Sequence, residues 1–197
     1  MKKIAELKKE GRYTEERDLQ ITTAMPARYK NADVEKANKG QEAITKWALG
    51  KKKKKSLYIW GGVGSGKTYM AYALYKLLRA NGWNTLIGGS IDILQDIKED
   101  FTNKAKDPYY QSKFDKWIEH PGPMIIDDLG AEKLSDWVLE TFYSLINTRY
   151  ERELPTIFTS NYSLKQLSER VGDRITSRIF EMCEIIKLDG DDRRIGK

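Results

Sequence analysis

The stretch that decides the fold is Gly61-Gly62-Val63-Gly64-Ser65-Gly66-Lys67-Thr68. It fits the phosphate-binding pattern G-x-x-x-x-G-K-[ST] at every fixed position. A short apolar run at 56–60 precedes it and predicts a buried strand. Residues 69–80 follow and predict a helix, with a single apolar stripe made of Met70, Leu74, Leu77 and Leu78. Strand, glycine-rich loop and helix in this order form the context that such a loop requires.

The chemistry of this loop is that of a phosphate cradle. Glycines let the main chain curl so that several N–H groups point inward, and the start of the following helix adds its positive dipole end. Lys67 is expected to reach the β- and γ-phosphates, and Thr68 to bind Mg²⁺. We therefore expect residues 61–69, ending at Tyr69, to bind a nucleotide. The alternative is a glycine-rich turn with a chance lysine.

Two adjacent acids end a second apolar strand, which is predicted at 123–126. They are Asp127 and Asp128. Two adjacent carboxylates at the end of a buried strand are unfavourable unless positive charge lies close to them. We expect Asp127 to hold Mg²⁺, directly or through water, and Asp128 to orient or polarise the attacking water. The alternative is that both acids cap the next helix or lie in a turn.

A third apolar strand, predicted at 154–159, ends in Ser160 and Asn161. A polar side chain at the tip of the strand beside the acidic one can contact the γ-phosphate or the attacking water. Asn161 is the candidate for that role. The alternative is an ordinary helix cap or an Asx turn before residues 163–167.

Composition sets limits on the class of protein. The 197 residues suit one domain. The single cysteine excludes an internal disulfide, and the single histidine excludes a His/Cys metal cluster and a Ser–His–Asp triad. No apolar stretch has a membrane-spanning length, and the N-terminus lacks the apolar region of a signal peptide. We therefore expect a soluble, cytoplasmic protein without membrane contact.

The charge is uneven along the chain. Residues 1–60 hold 16 Lys or Arg and 8 Asp or Glu, a net charge of +8, whereas the whole chain has +6. Five of these charges form the run 51–55. The run is either a solvated loop or a contact to a phosphate backbone.

Helical and strand patterns alternate along the chain. The charged segment 2–18 is expected to form a helix or to be partly disordered. Helices are predicted at 33–49 (with Ala37, Ala43, Ile44 and Trp47 inward), 90–101 (with a serine cap and Ile91, Ile93, Leu94 and Ile97 apolar), 109–119 and 135–149. Further strands are predicted at 83–87 and 184–188. Strands separated by helices predict an α/β fold with a parallel sheet covered on both faces.

Four segments in this order and spacing carry a family resemblance: GGVGSGKT, MIIDDLG, PTIFTSN and GDRITSRIF. They resemble the AAA+ ATPases, and among these the bacterial replicative-helicase loaders of the DnaC and DnaI type, with the transposition helper IstB as a cousin. The resemblance covers residues 25–197 and leaves 1–24 as a basic helical extension. It implies a five-stranded sheet with the phosphate-loop strand in the middle, ATP at its carboxyl edge, and Asn161 as the γ-phosphate sensor.

The resemblance also implies self-association. Residues 172–178 match the family segment that carries an arginine finger, with Arg178 as the first choice and Arg174 as the second. Such an arginine enters the ATP site of a neighbouring subunit and stabilises the charge on the transferring phosphoryl group. The alternative is that both arginines are surface or salt-bridge residues on a helix. Arg193 and Arg194 resemble a loader's basic C-terminus, or else form a disordered tail.

Loaders and initiators carry an extra helical element between the second and third strands, used on single-stranded DNA, and residues 90–119 have the length for it. Lysines and aromatic residues interleave there: Lys98, Phe101, Lys104, Lys106, Tyr109, Tyr110, Lys113, Phe114 and Lys116. Bases stack on aromatic rings while lysines follow phosphates. The alternative is a core of aromatics with solvated lysines.

These observations together predict a Mg²⁺-dependent, helicase-loader-like ATPase in DNA replication. Its expected partners are a replicative DNA helicase, single-stranded DNA and further copies of itself. Few residues precede the matching core, so helicase recruitment would fall to the helix at 2–18. The alternatives are a transposition helper ATPase, a nucleotide-gated switch with little hydrolysis, and a small-molecule kinase.

Overall fold

The computed structural model describes residues 1–36, 42–49, 56–103 and 112–188, with the main chain only at 101–103. The strands are β1 (Ser56–Gly61), β2 (Leu86–Gly89), β3 (Met124–Asp127), β4 (Thr156–Ser160) and β5 (Cys183–Leu188). The helices are α1 (Ile4–Lys9), α2 (Glu15–Thr23), α3 (Glu42–Leu49), α4 (Lys67–Ala80), α5 (Ser90–Asn103), α6 (Lys113–Ile118), α7 (Asp136–Glu151), α8 (Leu164–Val171) and α9 (Asp173–Met182). Short 3₁₀ turns lie at Ala27–Tyr29 and Val34–Lys36.

The five strands form one parallel sheet in the order β2-β3-β4-β1-β5. This confirms the predicted α/β fold with five parallel strands. The expectation that the phosphate-loop strand lies in the middle is wrong. One strand, β5, lies on one side of β1 and three strands lie on the other side of β1, so β4 is the central strand. Since all strands run in one direction, the ends of β1, β3 and β4 meet at one edge of the sheet.

Both faces of the sheet are covered, as predicted. Along β1, Leu57 and Ile59 point to a core shared with α4 and the N-terminal helices, whereas Tyr58 points to a core shared with α7 and α9. The alternation follows the two-residue period of a strand. The four residues of the predicted α4 stripe are all buried, which confirms the helix and its inward face.

The N-terminal segment forms two helices where one was predicted. Gly11 has φ +68° and ends α1, and the Thr14 hydroxyl then caps α2 by accepting the Arg17 N–H. Leu7 and Ile21 are buried in the same core as α4. The domain boundary between residues 24 and 25 stays a prediction.

Two local predictions are wrong. β2 begins at Leu86 and not at Trp83, because the Trp83 N–H still bonds to the Leu78 carbonyl at the end of α4. Trp83 is consequently half exposed. Ala43 is exposed, since the helical period turns the buried positions of α3 away from it.

Several predicted residues lie outside the described ranges: Ala37, the lysine run 51–55, Lys104, Lys106, Tyr109, Tyr110, Arg193 and Arg194, and the side chain of Phe101. In the part of the chain that is described, none of the helices combines the length and the apolar character that crossing a bilayer needs.

Candidate nucleotide site

The phosphate loop joins β1 to α4 and contains glycines required for two different reasons. Gly64 and Gly66 have φ +78° and +93°, a region that residues with a Cβ rarely adopt. Gly61 is needed for space, because a Cβ there would lie 2.4 Å from the Leu188 carbonyl oxygen on β5. The loop therefore depends on both its own curl and its close approach to the neighbouring strand.

Lys67 is the first residue of α4 and is 7% exposed. Its ammonium group donates to the carbonyl oxygens of Gly61, at 2.9 Å, and Gly62, at 2.8 Å. The Ser65 hydroxyl lies 3.5 Å away. These acceptors lie at the end of β1 and in the loop that follows, beside the place expected for phosphate, so the same ammonium can exchange them for phosphate oxygens.

Asp127 ends β3, and two hydroxyls meet it there. The Thr159 hydroxyl donates to Oδ1 at 2.5 Å, and the Thr68 hydroxyl also hydrogen-bonds to this carboxylate. Burial, with a smaller contribution from Asp128, raises the pKa of Asp127, while the hydroxyls and the charge of Lys67 act in the opposite direction. Carboxylate and hydroxyl oxygens are ligands that Mg²⁺ accepts, so Thr68 and Asp127 fit a shared ion.

Asp128 follows directly and adopts φ +58°. Its N–H donates to the Thr159 hydroxyl oxygen at 2.9 Å, and its Oδ1 accepts from the Asn161 amide at 2.7 Å. The structure thus brings together the acid after β3 and the amide after β4, as expected for neighbouring strands.

Thr159 is one of three residues in this network that the sequence did not predict. Its hydroxyl donates to one acid and accepts from the main chain of the next. Ser90 and Glu132 were missed as well, except that Ser90 was expected to cap α5; its hydroxyl instead contacts the turn after Asp128. A polar pair, Thr159-Ser160, at the end of an otherwise apolar strand was the signal for the first. Ser90 and Glu132 lie far apart in the sequence, and no sequence pattern indicated that they would meet.

The side chain of Tyr69 lies against the N-terminal segment. Its hydroxyl accepts the Asp33 N–H at 3.2 Å, and the neighbouring Tyr72 ring stacks on Tyr29 with the centroids 4.8 Å apart. These contacts fix the segment before β1 to α4. A contact of Tyr69 with nucleotide stays a prediction.

The two finger candidates lie on α9, which packs on α7. Arg178 donates to Asn147 Oδ1 at 2.7 Å, to the Arg174 carbonyl at 2.6 Å and to the Tyr143 hydroxyl at 3.1 Å. Arg174 is exposed, and its guanidinium carbon lies 4.5 Å from the centre of the Tyr143 ring. The two arginines therefore differ in how strongly their own subunit holds them.

The helical element between β2 and β3 consists of α5 and α6. Lys113 pairs with Asp96 at 2.8 Å and with Glu99 at 3.1 Å, and its hydrogen bonds to these carboxylates raise its pKa. Lys116 lies 5.2 Å from the centre of the Trp117 ring, and Lys98 is exposed. Two of the predicted lysines are thus available to solvent, while Lys113 is already neutralised.

Comparisons with known proteins agree with the five-stranded α/β fold. The family described as IstB-like ATP binding protein matches residues 37–197. The replicative helicase loader DnaI of Bacillus subtilis (strain 168) is 28% identical over 155 residues, which cover 72% of this chain and 48% of that protein. The chain therefore spans about half the length of the curated relatives it matches.

Two solved structures have the same fold. A crystal structure of the DnaC helicase loader matches with a TM-score of 0.70 and 28% identity, over 83% of this chain and 100% of that one. A crystal structure of DnaI matches with a TM-score of 0.67 and 26% identity, over 87% of this chain and 95% of that one.

Proposed function

Because the chain belongs to the IstB-like ATP-binding protein family, whose AAA+ ATPase fold it shares with DnaC and DnaI, we propose that it is a helicase-loader-like ATPase in DNA replication. It would bind ATP with Mg²⁺ at the carboxyl edge of the sheet and hydrolyse it. The observation that carries this proposal is the 2.7 Å hydrogen bond between Asp128 and Asn161, at the sheet edge where the phosphate loop begins.

Each residue of the site has a role in this proposal. Lys67 leaves the loop carbonyls and binds the β- and γ-phosphates, while the loop N–H groups of 61–69 surround them. Thr68 and Asp127 would hold Mg²⁺, which supplies positive charge at the phosphate oxygens. Asp128 orients the attacking water and accepts its proton, and Asn161 contacts the γ-phosphate.

Replacing Asp128 with asparagine tests the hydrolytic role. The Asp128→Asn protein should bind MgATP like the wild type but lose turnover by on the order of 10²–10⁴-fold, because an amide accepts a proton poorly. Calorimetry gives the binding and phosphate release gives the rate, with the exposed Asp136→Asn as the matched control. Wild-type turnover in Asp128→Asn would assign the water-orienting role elsewhere. Binding without turnover in the native chain would favour the nucleotide-gated switch.

We assign the trans arginine to Arg174 ahead of Arg178, which reverses the preference from the sequence. Each of the three guanidinium nitrogens of Arg178 donates a hydrogen bond within its own subunit. Arg174 is exposed and rests on a ring face, an arrangement that leaves its N–H groups able to bind a neighbour's phosphate.

A mixing experiment tests the shared site. Arg174→Ala should lower turnover by on the order of 10³-fold, as removal of a finger does. Mixing Arg174→Ala with Lys67→Ala subunits should restore part of the rate, since each lacks a different half of the site. Arg178→Ala mixed with Lys67→Ala is the matched comparison. Absence of recovery in oligomers shown to be mixed would contradict a shared site.

Contact with single-stranded DNA is proposed for the α5–α6 element, through Lys98 and Lys116. Affinity should then fall with salt by a log–log slope of about −0.7 per phosphate neutralised. Lys116→Ala should flatten that slope, whereas Lys113→Ala should change it less, because Lys113 already pairs with two carboxylates. Binding of labelled oligothymidylate at several salt concentrations measures both. Salt-independent binding, or none, would contradict the proposal.

The helicase contact is proposed for a groove of about 680 Å³ between the N-terminal helices and the end of α4. Arg12, Arg17 and Arg79 line it beside the half-exposed Trp83. Tryptophan and arginine are enriched at the centres of protein interfaces. Trp83→Ala should weaken capture of the host's replicative helicase at least about tenfold, with the exposed Leu19→Ala as control. Capture of a transposase in place of a helicase would favour the transposition helper.

A further inference from the structure

A buried carboxylate lies beneath the turn that carries Asp128. Glu132 is 3% exposed. Its Oε2 accepts the Ser90 hydroxyl at 2.8 Å, and its two oxygens lie 3.2 and 3.1 Å from the Gly130 nitrogen. A carboxylate buried in this way is tolerated only when hydrogen bonds satisfy it. Here they come from the turn itself and from the first residue of α5.

The turn needs such support because Asp128 adopts a left-handed conformation with φ +58°. For a residue with a Cβ this costs on the order of 1 kcal/mol and persists only where the surroundings hold it. The Asp128 carbonyl accepts the Ala131 N–H at 3.2 Å and approaches the Ser90 hydroxyl at 3.0 Å. A single hydroxyl therefore contacts both the strained residue and Glu132.

The hydroxyl of Ser90 has only one proton for these two acceptors. One acceptor is a carboxylate and the other a neutral carbonyl, and a charged acceptor forms the stronger hydrogen bond. The charge on Glu132 consequently decides how the Ser90 hydroxyl is oriented: its proton points to Glu132, and the Asp128 carbonyl keeps the Ala131 N–H as its donor. Asn161 secures the Asp128 carboxylate, whereas Glu132 secures the turn that follows Asp128 by accepting the Ser90 hydroxyl and the Gly130 N–H.

We propose that Glu132, which ties the turn after Asp128 to α5 through the Gly130 N–H and the Ser90 hydroxyl, is a positioning residue that keeps the Asp128 carboxylate directed at the attacking water. This rests on the proposed role of Asp128 in ATP hydrolysis. The phosphate loop takes no part in the network, so nucleotide affinity is independent of it.

The same contact joins the turn to the α5–α6 unit, since Ser90 begins α5. That unit is tied together by Asp100, which is 3% exposed and accepts the Ser112 hydroxyl at 2.6 Å and the Lys113 N–H at 2.9 Å. A displacement of α5 against β3 is therefore transmitted to Asp128 through one hydroxyl.

Glu132→Gln tests the proposal because it keeps the volume and removes the charge. We expect kcat for ATP to fall about tenfold, as for loss of other supporting contacts behind a reacting group, with KM unchanged. Glu169→Gln, on the exposed face of α8, is the matched control. Ser90→Ala should also lower kcat, whereas Ser90→Thr keeps the hydroxyl and should keep the wild-type kcat.

Three results would overturn the proposal. The first is equal kcat in Glu132→Gln and Glu169→Gln. The second is a parallel change of kcat and KM in Glu132→Gln together with a lower melting temperature, which indicates a general structural role. The third result applies if Glu132→Gln does not fold: it is an equal kcat in Ser90→Ala and Ser90→Thr. Absence of turnover in the wild type would remove the proposed ATPase function itself, whereas wild-type turnover with an unaffected Glu132→Gln removes this inference alone.

Discussion

Two buried cations lie at opposite edges of the sheet, and main-chain carbonyls hold both. Lys67, at the carboxyl edge, bonds to the carbonyls of Gly61 and Gly62. Arg149 is fully buried on α7, near the starts of β3 and β4, and donates to the carbonyls of His120, Gly122 and Pro155 and to the Thr156 hydroxyl. Burial and hydrogen bonding alone do not distinguish the two.

The difference lies in what carries the acceptors. The partners of Arg149 are the residues that lead into β3 and β4, so they are as fixed as the sheet. Burial lowers its pKa to about 10, which still leaves it charged at neutral pH. The acceptors of Lys67 are the carbonyls of Gly61, the last residue of β1, and of Gly62, at the start of a loop with two left-handed glycines, and a ligand can replace them. A buried charge therefore indicates a binding site only where its partners are exchangeable.

The largest expected effect is on turnover at the carboxyl edge. Lys67→Ala should lower ATP turnover by about 10³-fold or more, because it removes the charge that faces the phosphates. Its melting temperature without nucleotide should stay close to that of the wild type, since the lost partners can bind water. Phosphate release and thermal unfolding check the two parts, with the exposed Lys133→Ala as control. A large loss of stability would show that Lys67, like Arg149, stabilises the fold.

The next effect is on stability at the opposite edge. Arg149→Met should reduce the free energy of unfolding by about 3 kcal/mol, since three carbonyls and a hydroxyl lose a buried donor. In a chain of this size that corresponds to roughly 10 °C in melting temperature. Arg152→Met, an exposed arginine at the end of the same helix, should change little. Equal melting temperatures for the two variants would contradict the structural role of Arg149.

The smallest effect concerns pH. Because the folded-state pKa of Asp127 is raised, its ionised form costs stability, and this cost grows as the pH rises from the ordinary aspartate value through the folded-state pKa. Asp127→Asn removes the cost. In EDTA its melting temperature should exceed that of the wild type at pH 7, and the difference should shrink as the pH falls towards the ordinary aspartate value. A difference that grows towards low pH would contradict a raised folded-state pKa of Asp127.

The carboxyl edge was predictable because its signals are local. A phosphate loop between a strand and a helix, and two acids at a strand end, are each contained in a few residues. Parallel strands then bring Asp128 and Asn161 together without further information. The strand order was less accessible, since the position of β5 outside β1 depends on pairing across more than one hundred residues.

The network around Arg149 was not predictable, because its acceptors come from two loops about thirty residues apart in sequence. The link between Ser90 and Glu132 likewise joins two crossovers of the sheet. The hydrogen bonds from Arg178 to Asn147 and Tyr143 were not predictable for the same reason. The packing of α9 on α7, and not the sequence of either helix, decides which guanidinium group is held.

The most direct test of this account is calorimetric titration of MgATP into Lys67→Ala and Arg149→Met, at a temperature where circular dichroism shows both to be folded. Arg149→Met should bind with the wild-type Kd, and Lys67→Ala should bind at least about tenfold more weakly, since a charged hydrogen bond contributes about 1.5–3 kcal/mol. Wild-type affinity in Lys67→Ala would contradict the assignment of ATP to the carboxyl edge of the sheet.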